Sequence, residues 1–82
     1  MKNVAELRAV ADAAALELRF AVLRRQWMER RLLEAPDELE FNARLAELSA
    51  LEGRIADLSL EALRARTAWA QADDEARRAV PR

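Results

Sequence analysis

The chain has 82 residues, enough for one domain and too few to enclose a large core. It holds no cysteine and no histidine, which removes disulfides, thiolate chemistry, the commonest general base and the commonest metal ligand. Fourteen basic residues against 15 acidic ones leave a net charge of −1, which argues against both a general nucleic-acid binder and an acidic mimic of DNA.

Ala, Leu, Glu and Arg dominate, with one Gly and two Pro, a composition of long helices or coiled coils. Lys2 is the single lysine, and the Arg and Ala bias suits a GC-rich bacterial or phage genome. Glu6 and Asp12 interrupt the opening stretch where a signal peptide needs an unbroken apolar core. No apolar run approaches the roughly 18 residues of a membrane span, so a cytoplasmic location is expected.

Asn3 is placed to cap a first helix, with Glu6 three positions on completing a capping box. From Val4 to about Glu34 there is neither Gly nor Pro, which predicts a helix of roughly 30 residues, about 45 Å long. One face follows alternating steps of four and three: Leu7, Ala11, Ala14, Leu18, Ala21, Arg25, Met28, Leu32. That is a coiled-coil seam with one polar interruption, Arg25. Ala35-Pro36-Asp37 breaks the helix, because Pro36 disfavours helix at Ala35 and Asp37 is a good cap for a second one.

The second helix is predicted over 38–79, with a stripe of Phe41, Leu48, Leu51, Ile55, Leu58, Ala62, Ala65 and Trp69, flanked by Leu45 and Leu63. The short turn makes the helices antiparallel neighbours, an all-α helical hairpin in a single domain. Pairing back from the turn sets Leu45 near Met28, Ile55 near Leu18 and Trp69 near the start of the first helix. Residues 70–82 then have nothing to pack against and are expected to overhang, fray or serve a partner, with Pro81 marking the end. Gly53 weakens the second helix, and Ser59 ahead of LEALRART is placed to cap a separate third helix, so a break is considered over 57–60.

The first helix carries a second apolar stripe. At 100° per residue, Leu16, Phe20, Leu23 and Trp27 lie within about 40° of the pole opposite Leu7. A monomeric surface helix normally shows one such stripe. On the second helix, Ala43, Ala46, Ala50 and Gly53 line the side opposite Leu48 and Ile55, either a bland solvent face or a strip where another backbone comes close. The expected partner-binding set is therefore Leu16, Phe20, Leu23 and Trp27, with Arg24 and Arg31 beside them and Ala43, Ala46 and Ala50 on the other helix.

The densest charged motif is RRQWMERR, residues 24–31. It reads either as a phosphate or RNA contact through Arg24, Arg30 and Arg31 with Trp27 stacking on a base, or as the rim of a protein interface. In the second reading Arg24 lies over Phe20 and Arg31 over Trp27, and Arg30 and Arg31 reach Glu34. Asp73, Asp74 and Glu75 are consecutive and point different ways round a helix, so they do not converge on a metal. Asp57 and Glu61, with Arg54 and Arg64 nearby, read as surface pairs. No cofactor and no catalytic set is expected.

Leu7-Arg8…Asp12 resembles the LR…D pattern of small helical chorismate mutases, but the lysine deep in that family's hairpin has no counterpart here, since the only lysine is Lys2. Pro36-Asp37-Glu38-Leu39-Glu40-Phe41, Ala50-Leu51-Glu52-Gly53 and Leu58-Ser59 together resemble the small co-chaperones of type III secretion needle subunits, which are helical hairpins with a Pro-containing turn. That resemblance covers about a third of the chain and implies a helical partner protein kept soluble by the apolar faces named above. The longer tail and Trp27 and Trp69 depart from it. The sequence as a whole points to an interaction module that associates with itself as a four-helix bundle or with a helical partner. A phage product aimed at a host protein and a small RNA or phosphate binder stand as alternatives.

Overall fold

The computed structural model of the chain describes residues 2–80 as two helices, α1 over Val4–Leu33 and α2 over Glu38–Ala79. Both start on the caps their sequences supply. The Glu6 N–H donates to Asn3 Oδ1 at 2.8 Å, and Asn3 Nδ2 donates back to Glu6 Oε1 at 3.1 Å. The Glu40 N–H donates to Asp37 Oδ1 at 2.8 Å. At its C-terminus α1 tightens, with Glu34 and Ala35 donating to the carbonyls three residues back, Arg31 and Leu32.

The chain then doubles back. Moving away from the turn, Arg31, Glu17 and Arg8 on α1 meet Arg44, Arg54 and Trp69 on α2, so the helices run antiparallel in a hairpin 68 Å long and 15 Å across. One seam joins them. On α1 every residue of the alternating repeat is at least half-covered, from Val4 and Leu7 through Ala11, Ala14, Leu18, Ala21, Arg25, Met28 and Leu32 to Ala35. On α2 the repeat runs through Arg44, Leu48, Leu51, Ile55, Leu58, Ala62, Ala65, Trp69 and Ala72. A repeat of 3.5 residues keeps both lines facing each other over the whole contact. Two helices cover each other from one direction only, so the buried set among the described residues is short: Ala11, Leu48, Ile55 and Leu58, with Leu58 at 2% exposure the deepest.

α2 is one continuous helix, as expected over 38–79, and the break considered over 57–60 does not occur: the Ser59 hydroxyl donates to the Ile55 carbonyl one turn back at 2.8 Å and caps no new helix. The structure corrects other expectations. Leu45 does not cover Met28. It stands 41% exposed, and Arg44 takes the seam position beside Met28. Leu63, the other flanking leucine, is 61% exposed. The segment after residue 70 is helical to Ala79 rather than frayed. Ala72 and Asp73 are still half-covered, and every residue from Asp74 to Val80 is exposed, so this end of α2 overhangs α1. Val80, the residue before a proline, is extended. The expected stop at Pro81 lies outside the described residues.

A Cβ added at Gly53 meets nothing within 4 Å, and Gly53 has no positive φ. Gly53→Ala should therefore raise stability by about 0.5–1 kcal/mol, seen as a higher midpoint in thermal denaturation followed by circular dichroism. Leu58→Ala should cost about 2–5 kcal/mol and leave little folded hairpin by the same measurement.

Candidate interaction surface

The seam accounts for one side of α1 and leaves the other wet. Leu16, Phe20, Leu23 and Trp27 follow the same four-three spacing half a turn away from it. Their exposures are 52, 61, 51 and 56%, so four bulky apolar side chains form one contiguous outward stripe. The stripe is rigid, because it sits on the middle of a capped helix whose opposite side is held by α2.

Four arginines surround it. Arg19, Arg24, Arg30 and Arg31 make no ion pair among the described residues, whereas Arg8 and Arg25 pair with Asp12 and Glu29 on their own helix. The Arg31 guanidinium lies over the Trp27 ring at 5.0 Å, the arrangement expected from their spacing. Arg24 does not lie over Phe20 in the same way; among the described residues the other stacked pair is Arg8 over Trp69 at 5.9 Å. Nor do Arg30 and Arg31 reach Glu34. Arg31 is turned back toward Trp27, and Glu34 lies past the last helical residue, where the i,i+4 geometry no longer holds.

Between this stripe and α2 is a cleft of about 50 Å³ lined by Arg24, Trp27, Met28, Arg31, Arg44 and Glu47. Arg44, whose side chain is 19% exposed, is already committed: it donates to the Arg31 carbonyl and holds Glu40 at 3.1 Å. It thereby adds a second donor to the Arg31 carbonyl, which already accepts the Glu34 N–H at 3.2 Å. Farther along the same side of the hairpin, Arg54 crosses to Glu17 at 3.0 Å rather than pairing with Asp57. Sequence reasoning missed both roles. The available signal was the step from Phe41 to Leu48, which is seven residues and leaves the intermediate seam position to Arg44.

On α2, Ala43, Ala46, Ala50 and Gly53 are exposed, with Leu39 and Leu60 at the ends of the strip. Ala43 and Ala50 lie one turn either side of Glu47, so they border the same side of the hairpin as the cleft and the Glu17–Arg54 bridge. On the opposite side an open groove of about 430 Å³ runs over Ala11, Ala15, Leu18 and Ala62, with Leu63 and Trp69 on its walls and Asp12 and Arg66 at its rim. Nothing polar converges there.

Among the described residues no group of three or more acidic side chains is placed to hold a metal, and no buried polar side-chain atom lacks a partner. Asp73 and Asp74 are instead bound to Arg77 and Arg78 at 3.2 and 3.1 Å. No described helix is long and apolar enough to cross a membrane. Comparison with protein-family models, with curated proteins and with solved structures found no match.

The two inter-helix arginines should differ in weight. Arg44 is largely covered and bonds a helix-terminal carbonyl, so Arg44→Met should cost about 1.5–3 kcal/mol in denaturant titration. Arg54 and Glu17 are each more than half exposed, and after allowance for solvent screening Arg54→Met should change the midpoint by less than about 1 kcal/mol.

Proposed function

We propose that this chain is a non-enzymatic, cytoplasmic protein–protein interaction module. It docks the outward face of α1 on a helix of a protein partner and so completes a helical bundle. One observation carries the reading: Leu16, Phe20, Leu23 and Trp27 are each more than half exposed, on a chain with four buried core residues. A fully buried side chain of this size is worth about 1.5–3 kcal/mol, and these four have about half of that still to gain. Aromatics ringed by arginines are also the composition that interface centres favour.

Several other features agree with this class. The stripe is held on a rigid rod, so docking does not have to order it first. The likeness to secretion co-chaperones is one version of the same reading and rests on the sequence stretches alone. The RNA or phosphate reading has weaker support. Arg31 already occupies one face of Trp27, Arg44 is tied into the turn, and Glu47 adds negative charge to the cleft.

Trp27→Ala and Phe20→Glu should each abolish association, measured as particle mass by light scattering or as affinity for a helical partner, while circular dichroism shows the helices retained. Two variants that associate as the parent chain does would remove the interaction reading. An RNA shift at low salt, lost when Arg24 and Arg31 are reversed to Glu, would replace it.

A further inference from the structure

We infer that a second copy of the chain covers the Phe20 and Trp27 flank of this face, laid side against side about a twofold axis parallel to the two rods, with Leu16 and Leu23 at the far pole outside the contact. The inference rests on the interaction reading above and names its partner.

The argument starts from one side of the hairpin, the side that holds the Glu17–Arg54 bridge and the cleft between Trp27 and Glu47. On this side the two helices are unlike. α1 presents Phe20 and Trp27 with Arg24 and Arg31. α2 presents Ala43 and Ala50 with Glu47 and, farther along, Asp57 and Glu61. None of Arg24, Arg31, Glu47, Asp57 and Glu61 is engaged in an ion pair among the described residues. One rod is bulky and basic, the other small and acidic.

The antiparallel pairing fixes their heights. Ile55 lies level with Leu18 and Arg44 with Met28, so Trp27 is level with Ala46, and Phe20 with Gly53 and Ala50. A twofold axis parallel to the rods leaves height unchanged and sets α1 of each copy beside α2 of the other. Each aromatic then meets small residues, and Arg24 and Arg31 meet Glu47 and the acidic start of α2. Because the axis is twofold, the same match is made twice and the assembly closes. All four neighbouring helix pairs are antiparallel, as in an up-down four-helix bundle.

The competing twofold, perpendicular to the rods, packs α1 on α1. It sets Trp and Phe against each other and brings Arg19, Arg24, Arg30 and Arg31 of both copies into one patch, eight positive charges with no carboxylate in the stripe to answer them. Like-charge juxtaposition of that kind disfavours an arrangement. Size also permits the parallel form. The paired length of about 45 Å and the hairpin's width of 15 Å give roughly 700 Å² per copy, close to about 800 Å² per partner in an interface of standard size.

The test is particle mass of the full chain by light scattering or sedimentation, over a range of concentration, with circular dichroism as the check on folding. The parent chain is expected at twice its 9.3 kDa. Phe20→Glu, on the bulky rod, and Ala50→Arg, on the small one, should each halve that mass with helicity kept. Both sites are exposed in the hairpin, so neither substitution disturbs the seam. Leu63→Glu, on the opposite side, should leave the dimer intact. A dimer that survives Ala50→Arg but not Phe20→Glu would overturn the parallel arrangement and leave the interaction reading standing. A parent chain that stays monomeric at every concentration would overturn the second copy as occupant, and the interaction reading would then be judged by affinity for a different helical partner. Dissociation by Leu63→Glu alone would overturn the choice of side.

Discussion

Everything in this hairpin depends on a single line of contact. Two helices side by side do not enclose a volume; they share a seam, and each residue on it is covered from one direction. The four-three repeat keeps that seam in register over nine residues of α1, from Val4 to Leu32. Most residues off the repeat are exposed, as Leu45 and Leu63 are one step away from covered Arg44 and Ala62, and those half-covered, Val22 and Asp73, adjoin seam residues. The exposure of Phe20 and Trp27 follows from the same geometry. No rearrangement of two straight rods buries both poles of α1, so the surplus stripe is a property of the architecture and not of loose packing.

Two of the seam positions are arginines, and they act differently. Arg25 is half-covered and pairs along its own helix with Glu29 at 3.7 Å, laying its stem on the contact while the charge reaches solvent. Arg44 sends its guanidinium across to the Arg31 carbonyl. A shift of α2 by one seam step would carry Arg44 away from the end of α1 and lose its bond to the Arg31 carbonyl. Polar residues at seam positions commonly fix register at a cost in stability, and here the turn, the cap at Asp37 and Arg44 all specify the same alignment.

Much of the fold was legible in the sequence because its signals are local or periodic. The caps at Asn3 and Asp37 are readable from residues three apart, and the seam on α1 from the spacing of Leu7 to Leu32. What was not legible depends on choices between partners. The Ser59 hydroxyl has two local uses, a cap or a bond to the carbonyl one turn back, and only the unbroken burial of Ile55, Leu58 and Ala62 on either side selects the second. Arg54 has acidic neighbours on its own helix and one across the seam, and the spacing alone does not rank them. The stripe of Leu16, Phe20, Leu23 and Trp27 was visible as a pattern; which side of α2 lies beside it required the relative rotation of the helices, which the Glu17–Arg54 and Arg44–Arg31 contacts supply.

The seam is graded along its length. Near the turn and through the middle it is built from Met28, Leu32, Leu48, Leu51, Ile55 and Leu58; toward the open end it thins to Ala11, Ala14, Ala62 and Ala65, closed by Trp69 under Arg8. Each layer touches little beyond the layers next to it, so the molecule behaves as a one-dimensional ladder whose stability is summed rung by rung. The weak rungs are at the end farthest from the turn, where loop closure is also most costly in entropy. Zipping therefore starts at Pro36 and runs outward, and unzipping starts beside Trp69. Opening the last few rungs parts the walls of the alanine-lined groove without disturbing Phe20 or Trp27, so the hairpin can breathe at one end while its aromatic stripe keeps its shape.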